Sequence, residues 1–241
     1  EAILANRRPG QGAAREKIRR LDTRLAQLRP DMERYRRLYE ANFAEASKAF
    51  RLIAENPHYQ NTLNAYDAMF YGALATYFSG KHEEAAALFK AVQQSKISAR
   101  HAREAAQWRL SCFSELVKRI KLPADPAPAK DKTIVRQELP PFLIEYHQLL
   151  REIVALNPAS PDVPLYRYTI ALHYFLYRQF ALARPLLEEL LEKHCEARQA
   201  FFAGQHLLTM LELEKGEGYL DKLEALASRI KTKGCGTRVR C

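Results

Sequence analysis

The chain has 241 residues, 47% of them apolar, and a formal charge of +10. That apolar content excludes disorder along the whole length and supplies core enough for one elongated domain or two compact ones. Ala, Leu, Glu, Arg and Lys outweigh runs of Val, Ile and Thr, and no stretch alternates as a strand does, so an all-α protein is expected.

The charge sits at the ends. Residues 1–40 carry 11 Arg/Lys against 6 Asp/Glu, residues 215–241 carry 7 against 3, and the body between is close to neutral. A nucleic-acid groove aligns its cations along one continuous face, so nucleic acid is not the expected partner. Basic ends also suit plain solvated termini, acidic partners or a peripheral contact with lipid headgroups. No apolar run is long enough to span a bilayer and no signal-peptide pattern opens the chain. It begins with Glu1, so a processed form is an expectation, and with the Ala- and Arg-rich composition this favours a periplasmic or cell-envelope setting over the cytoplasm.

In chain order, residues 1–12 form a lead-in whose glycines lack the following Lys-Ser/Thr of a phosphate loop. A helix is expected over Ala13–Leu28, with Ile18, Leu21, Leu25 and Leu28 forming a narrow apolar stripe between basic faces. This suits a capping helix that hides one end of a stack, or a piece of coiled coil or a partner-binding helix; capping is favoured because end repeats must cover their apolar faces. The first 30 residues are accordingly separated from a helical body over 31–231. Within that body a helix restarts at Asp31 after Pro30 and runs to Glu40, a turn follows at Ala41–Ala44, and another helix ends at Asn56-Pro57.

Residues 64–94 read as a helical hairpin. Helices at about 61–79 and 82–95 join across Ser79-Gly80-Lys81, with Gly72, Ala73 and Ala85 where the helices approach and Met69, Phe89 and Val92 around them. A long helix is expected at about 99–121. A proline- and charge-rich insertion follows over 122–138. Helices then come at 139–156, 163–176 and 180–194, with a turn at Tyr177–Phe180, and a last pair lies at 196–214 and 218–231. Eleven helices result, followed by a tail over 232–241 in which Cys235 and Cys241 are spaced to close a small loop.

Gly72 and Ala73, Gly80, and Ala85 and Phe89 fall at the spacing of the tetratricopeptide repeat, and the chain resembles that family. Tyr166, Ile170, Ala171 and Tyr174, then Ala183, Leu187 and Leu190, give a second clear copy. Ala46, Ala85, Tyr146 and Ala183 mark equivalent points at intervals of 39, 61 and 37 residues, against roughly 34 for the family. The resemblance implies a right-handed α-solenoid of antiparallel hairpins, about eleven helices long, working as a protein-binding scaffold or adaptor. Its first helices would line a concave groove, and here they are aromatic: Phe70, Leu74, Tyr77 and Phe78 in one copy, Tyr168, Leu172 and Phe175 in the other. Most aromatic stripes at helical spacing are core; those left exposed would suit an apolar peptide or helix of a partner. Some family members clamp a partner's C-terminal carboxylate with Lys, Asn and Arg on this face. Phe70, Leu74, Tyr168 and Leu172 stand at those positions, so that clamp is absent.

No reaction is legible. The seven histidines are scattered, the one Glu-x-x-His, Glu55–His58, is broken by Pro57, and His194-Cys195 are chain neighbours that point apart on a helix. No C-x-x-C, Gly-x-Ser-x-Gly or His-Glu-x-x-His occurs. The expectation is a non-enzymatic adaptor without cofactor or metal, within a multi-protein complex. The competing class is a helical-repeat regulator touching nucleic acid or an anionic membrane through its basic ends.

Overall fold

The computed structural model describes residues 11–126 and 135–233. The fold is all-α. Among the described residues nine helices occur and no strand: α1 (Gln11–Glu55), α2 (Leu63–Phe78), α3 (His82–Gln94), α4 (Ala102–Arg119), α5 (Pro141–Leu156), α6 (Val163–Leu176), α7 (Phe180–Lys193), α8 (Arg198–Glu214) and α9 (Tyr219–Lys233). Helices α1 to α3 pack on their neighbours in sequence, and so do helices α5 to α9. Contacts divide the chain into two units, Glu1–Arg109 and Leu110–Cys241, so α4 contributes to both.

The count is nine rather than eleven because three expected helices are one. α1 runs unbroken for 45 residues through Pro30 and through Ala41–Ala44. A mid-helix proline costs about 3 kcal/mol, since it removes one N–H and crowds the preceding turn. Against this, Arg36 pairs with Glu33 and Glu40 and Arg37 with Glu33 along the following turns. The Ala41–Ala44 stretch holds no Gly or Pro to stop a helix, and tertiary packing carries it forward: the rings of Tyr39 and Phe43 lie 4.6 Å apart and Phe43 meets Phe78 of α2 at 5.2 Å. The helix stops where the sequence says it should. Asn56 accepts the His58 N–H, a 3-10 turn covers Pro57–Tyr59, and Thr62 caps α2 by accepting the Ala65 N–H.

In the first unit α2 is the central helix. Tyr66, Phe70, Ala73 and Thr76 are buried on it, and Ala85, Phe89 and Val92 of α3 are buried against it. Gly72 approaches α1, where a Cβ would sit 3.3 Å from Phe50 Cβ; the close contact expected with α3 is thus made with α1. One polar pair crosses the α1–α2 contact: Ser47 and Thr76 share a buried 2.7 Å hydrogen bond, and Thr76 Oγ1 donates to the Gly72 carbonyl. Thr76 therefore receives the Ser47 proton, and both hydroxyls are satisfied.

In the second unit Leu143, Leu149 and Leu150 of α5, Ile170 and Phe175 of α6, Leu187, Leu190 and Leu191 of α7, and Leu207 and Met210 of α8 form the core. The end of the expected insertion is docked here. The Gln137 N–H donates to the Tyr177 carbonyl and the Gln179 side chain donates to the Gln137 carbonyl. Gly204 of α8 lets Ile230 of α9 come close enough that a Cβ would sit 2.8 Å from its Cδ1, a contact no sequence spacing announces.

Candidate interaction surfaces

The hairpins α2–α3 and α6–α7 are built alike, with counterparts 98 positions apart: Ala73 and Ala171, Gly80 and Arg178, Ala85 and Ala183, Phe89 and Leu187. Their turns share one hydrogen-bond pattern. Gly80 N–H bonds the Tyr77 carbonyl and Lys81 N–H bonds Thr76; Arg178 N–H bonds Phe175 and Gln179 N–H bonds Tyr174. The turn residue is left-handed in both, with φ of 83° at Gly80 and 58° at Arg178. Glycine adopts this without strain and arginine does not, so the second turn is held by its surroundings.

The seven groove candidates separate by burial. Phe70 and Phe175 are core side chains: Phe70 stacks on His101 with centroids 4.2 Å apart, and Phe175 packs against Phe180 and His206. Neither offers a surface, because a neighbouring helix or its approach already fills the space beside the ring. Leu74, Tyr77 and Phe78 are half-buried at the far end of α2. Trp108, which no spacing argument places there, joins them with its ring 5.1 Å from Tyr77, 5.6 Å from Phe78 and 6.3 Å from Phe89. Tyr168 and Leu172 are also half-buried. Tyr168 stacks on His206 and shares a 2.9 Å hydrogen bond with its Nε2; burial pushes the phenol up to about 12 and lowers the imidazole.

A separate cleft of about 230 Å³ lies between α1, α2 and α3, lined by Ala54, Ala68, Met69, Gly72 and Leu88 together with Ser47, Arg51 and Glu55. Arg51 is spent on an ion pair with Glu84. The lining offers shape to an apolar side chain and no converging acid and base.

Two polar clusters are structural anchors. His101 donates its backbone N–H to the Tyr66 hydroxyl, and its ring Nε2 lies 2.9 Å from Asp67 Oδ1, which ties the start of α4 to α2. In the second unit His147 Nε2 and His173 Nδ1 lie 2.9 Å apart, both buried, joining α5 to α6. Burial lowers both imidazoles, His147 to about 3 with help from the nearby positive charges of His173 and Arg151, and His173 to about 4. Both are therefore neutral near pH 7. His147 Nδ1 has no hydrogen-bond partner among the described residues, which makes it the bare acceptor nitrogen and Nε2–H the donor to His173, since an orphaned N–H would cost more.

Cys112 is buried and lies outside any disulfide, and Cys195 is disulfide-bonded. Cys235 and Cys241 lie outside the described residues. Among the described residues no group of three His, Cys, Asp or Glu side chains is placed to hold a metal ion, and no helix is long and apolar enough to cross a membrane. Compared with family models, curated proteins and solved structures, the chain matches none.

Proposed function

We propose that the protein is a non-catalytic scaffold of tetratricopeptide-like hairpins that holds an apolar peptide or helix of another protein within a multi-protein assembly. The observation that carries this reading is the half-open aromatic patch of Leu74, Tyr77, Phe78 and Trp108 at one end of the first unit's central helix. Large rings that are rigid, partly desolvated and clustered are the residues that dominate the energy of protein interfaces. The recurrence of one hairpin geometry at α2–α3 and α6–α7 supports the repeat character. Absence of the Lys, Asn and Arg clamp directs the reading toward an apolar segment rather than a terminal carboxylate.

A photo-crosslinking amino acid at position 74, with a control at the highly exposed Leu156, tests this in the native cell. Partner adducts from position 74 and none from 156 are expected. Equal labelling at both positions, or labelling at 156 alone, would refute the patch as the binding surface.

A further inference from the structure

The first half of α1 carries an apolar seam that nothing among the described residues covers. Ile18, Leu21, Leu25, Leu28, Met32 and Tyr35 are between 46% and 70% exposed, so the stripe does not cap a neighbouring helix. The spacing alternates three and four across all six residues and through Pro30, and Tyr39 extends it to where α2 begins to pack. That 3.5-residue repeat is the seam of a two-stranded coiled coil, with Ile18, Leu25 and Met32 at the a positions and Leu21, Leu28 and Tyr35 at the d positions. Pro30 lies on the opposite face, so its missing N–H and the Ala26 carbonyl it frees point toward water and away from the seam.

The flanking charges say what covers it. Asp22 and Arg29 border the a side of the seam; Arg24 and Asp31 border the d side. Among the described residues these four form no ion pair within the chain; the outward-facing Arg19, Arg20 and Arg37, and Arg36 farther along the a side, pair with glutamates of their own helix. In an antiparallel pair each flank meets the same flank of the other helix. Setting Leu25 against Leu28 then places Leu21 against Met32 and Ile18 against Tyr35, so every layer joins one a to one d residue. In that register Arg24 faces Asp31 and Asp22 faces Arg29, each twice by symmetry: four attractive pairs and no repulsive one among these residues. A parallel pair in register sets Arg24 against Arg29 at the middle of the seam, with Lys17 against Asp22 and Asp31 against Arg36 on either side, so it carries a central like-charge contact that the antiparallel register lacks there. Antiparallel pairing also keeps the packed halves apart, because Phe78 of α2 meets α1 at Tyr39, beyond the exposed Ile18–Tyr35 seam.

We infer that the Ile18–Tyr35 face of α1 binds the same face of a second copy of this chain as an antiparallel two-helix coiled coil. Its test is sedimentation equilibrium of the full chain from low to high micromolar concentration. The mass should rise from 27.7 kDa toward twice that value. The charge pairs fix the orientation. Arg24→Asp sets Asp against Asp31 and should weaken association by roughly tenfold; Arg24→Asp with Asp31→Arg should restore it. In a parallel pair Arg24→Asp would relieve the contact with Arg29, so stronger association of that variant overturns the antiparallel assignment. Leu25→Lys with Leu28→Lys should leave a monomer with unchanged helical circular dichroism. A wild-type chain that stays monomeric throughout, including one that partitions onto anionic vesicles instead, overturns the inference.

Discussion

The hairpins α2–α3 and α6–α7 share a backbone and differ in the polar groups they bury. The first is joined to the preceding helix by hydroxyls, Ser47 to Thr76, which carry no charge at any ordinary pH. The second is joined to its preceding helix by two imidazoles, His147 to His173, which burial makes costly to protonate. The first turns on Gly80, the second on Arg178 in the same left-handed conformation. One geometry is thus reached through different chemistry, and the patches beside the two hairpins differ accordingly: a tryptophan cluster in the first unit, a tyrosine–histidine pair in the second.

Acid should separate the two contacts most strongly. With folded-state values near 3 and 4 against an ordinary 6.5, the unfolded chain binds more protons between these values, so stability is full above about pH 6.5 and falls as pH drops toward 4. The loss approaches about 1.4 kcal/mol per pH unit for each histidine. Urea unfolding at pH 7 and pH 5 should show it in the second unit, and His147→Phe should flatten the slope. A pH-independent midpoint for the wild type would mean the pair is not buried as a neutral unit.

Next in size is Gly72→Leu, which drives a side chain into Phe50 and should cost about 1–3 kcal/mol, read as a lower melting temperature. Thr76→Val leaves the Ser47 hydroxyl buried without an acceptor and should cost about 1–2 kcal/mol; adding Ser47→Ala should recover part of that, a non-additivity a double-mutant cycle measures. The smallest effect has the opposite sign. Arg178→Gly relieves the left-handed residue and should stabilise the second hairpin by up to about 1 kcal/mol, bringing its turn closer to the first.

Where local chemistry punctuates the chain, the sequence predicts the helices well. Asn56-Pro57, Ser79-Gly80 and Pro140-Pro141 each lie at an observed helix boundary, because capping and proline geometry act within a few residues. α1 departs from its expected division for the complementary reason. Pro30 and Asn42 look like breaks in isolation, and only ion pairs along the helix and the rings of Phe43 and Phe78 show that it continues. The stripe from Ile18 to Leu28 is visible in the sequence, and its continuation through Met32 and Tyr35 is hidden by any break assumed at Pro30. Of the groove, the half-buried Leu74, Tyr77 and Phe78 are legible from helical spacing; that Phe70 is covered by His101, and that Trp108 closes the patch, depends on helix α4 packing back onto α2. His147 and His173 stand on different helices, so no spacing rule could join them.

Trp108 is the single tryptophan of the chain, and it stands in the patch proposed to bind a partner. Acrylamide quenching of its fluorescence, with and without the cross-linked partner purified from the native cell, reads that surface directly. A bluer emission and reduced quenching are expected in the complex. Unchanged emission and quenching with the partner bound would place the binding surface elsewhere and contradict the proposed role of the patch.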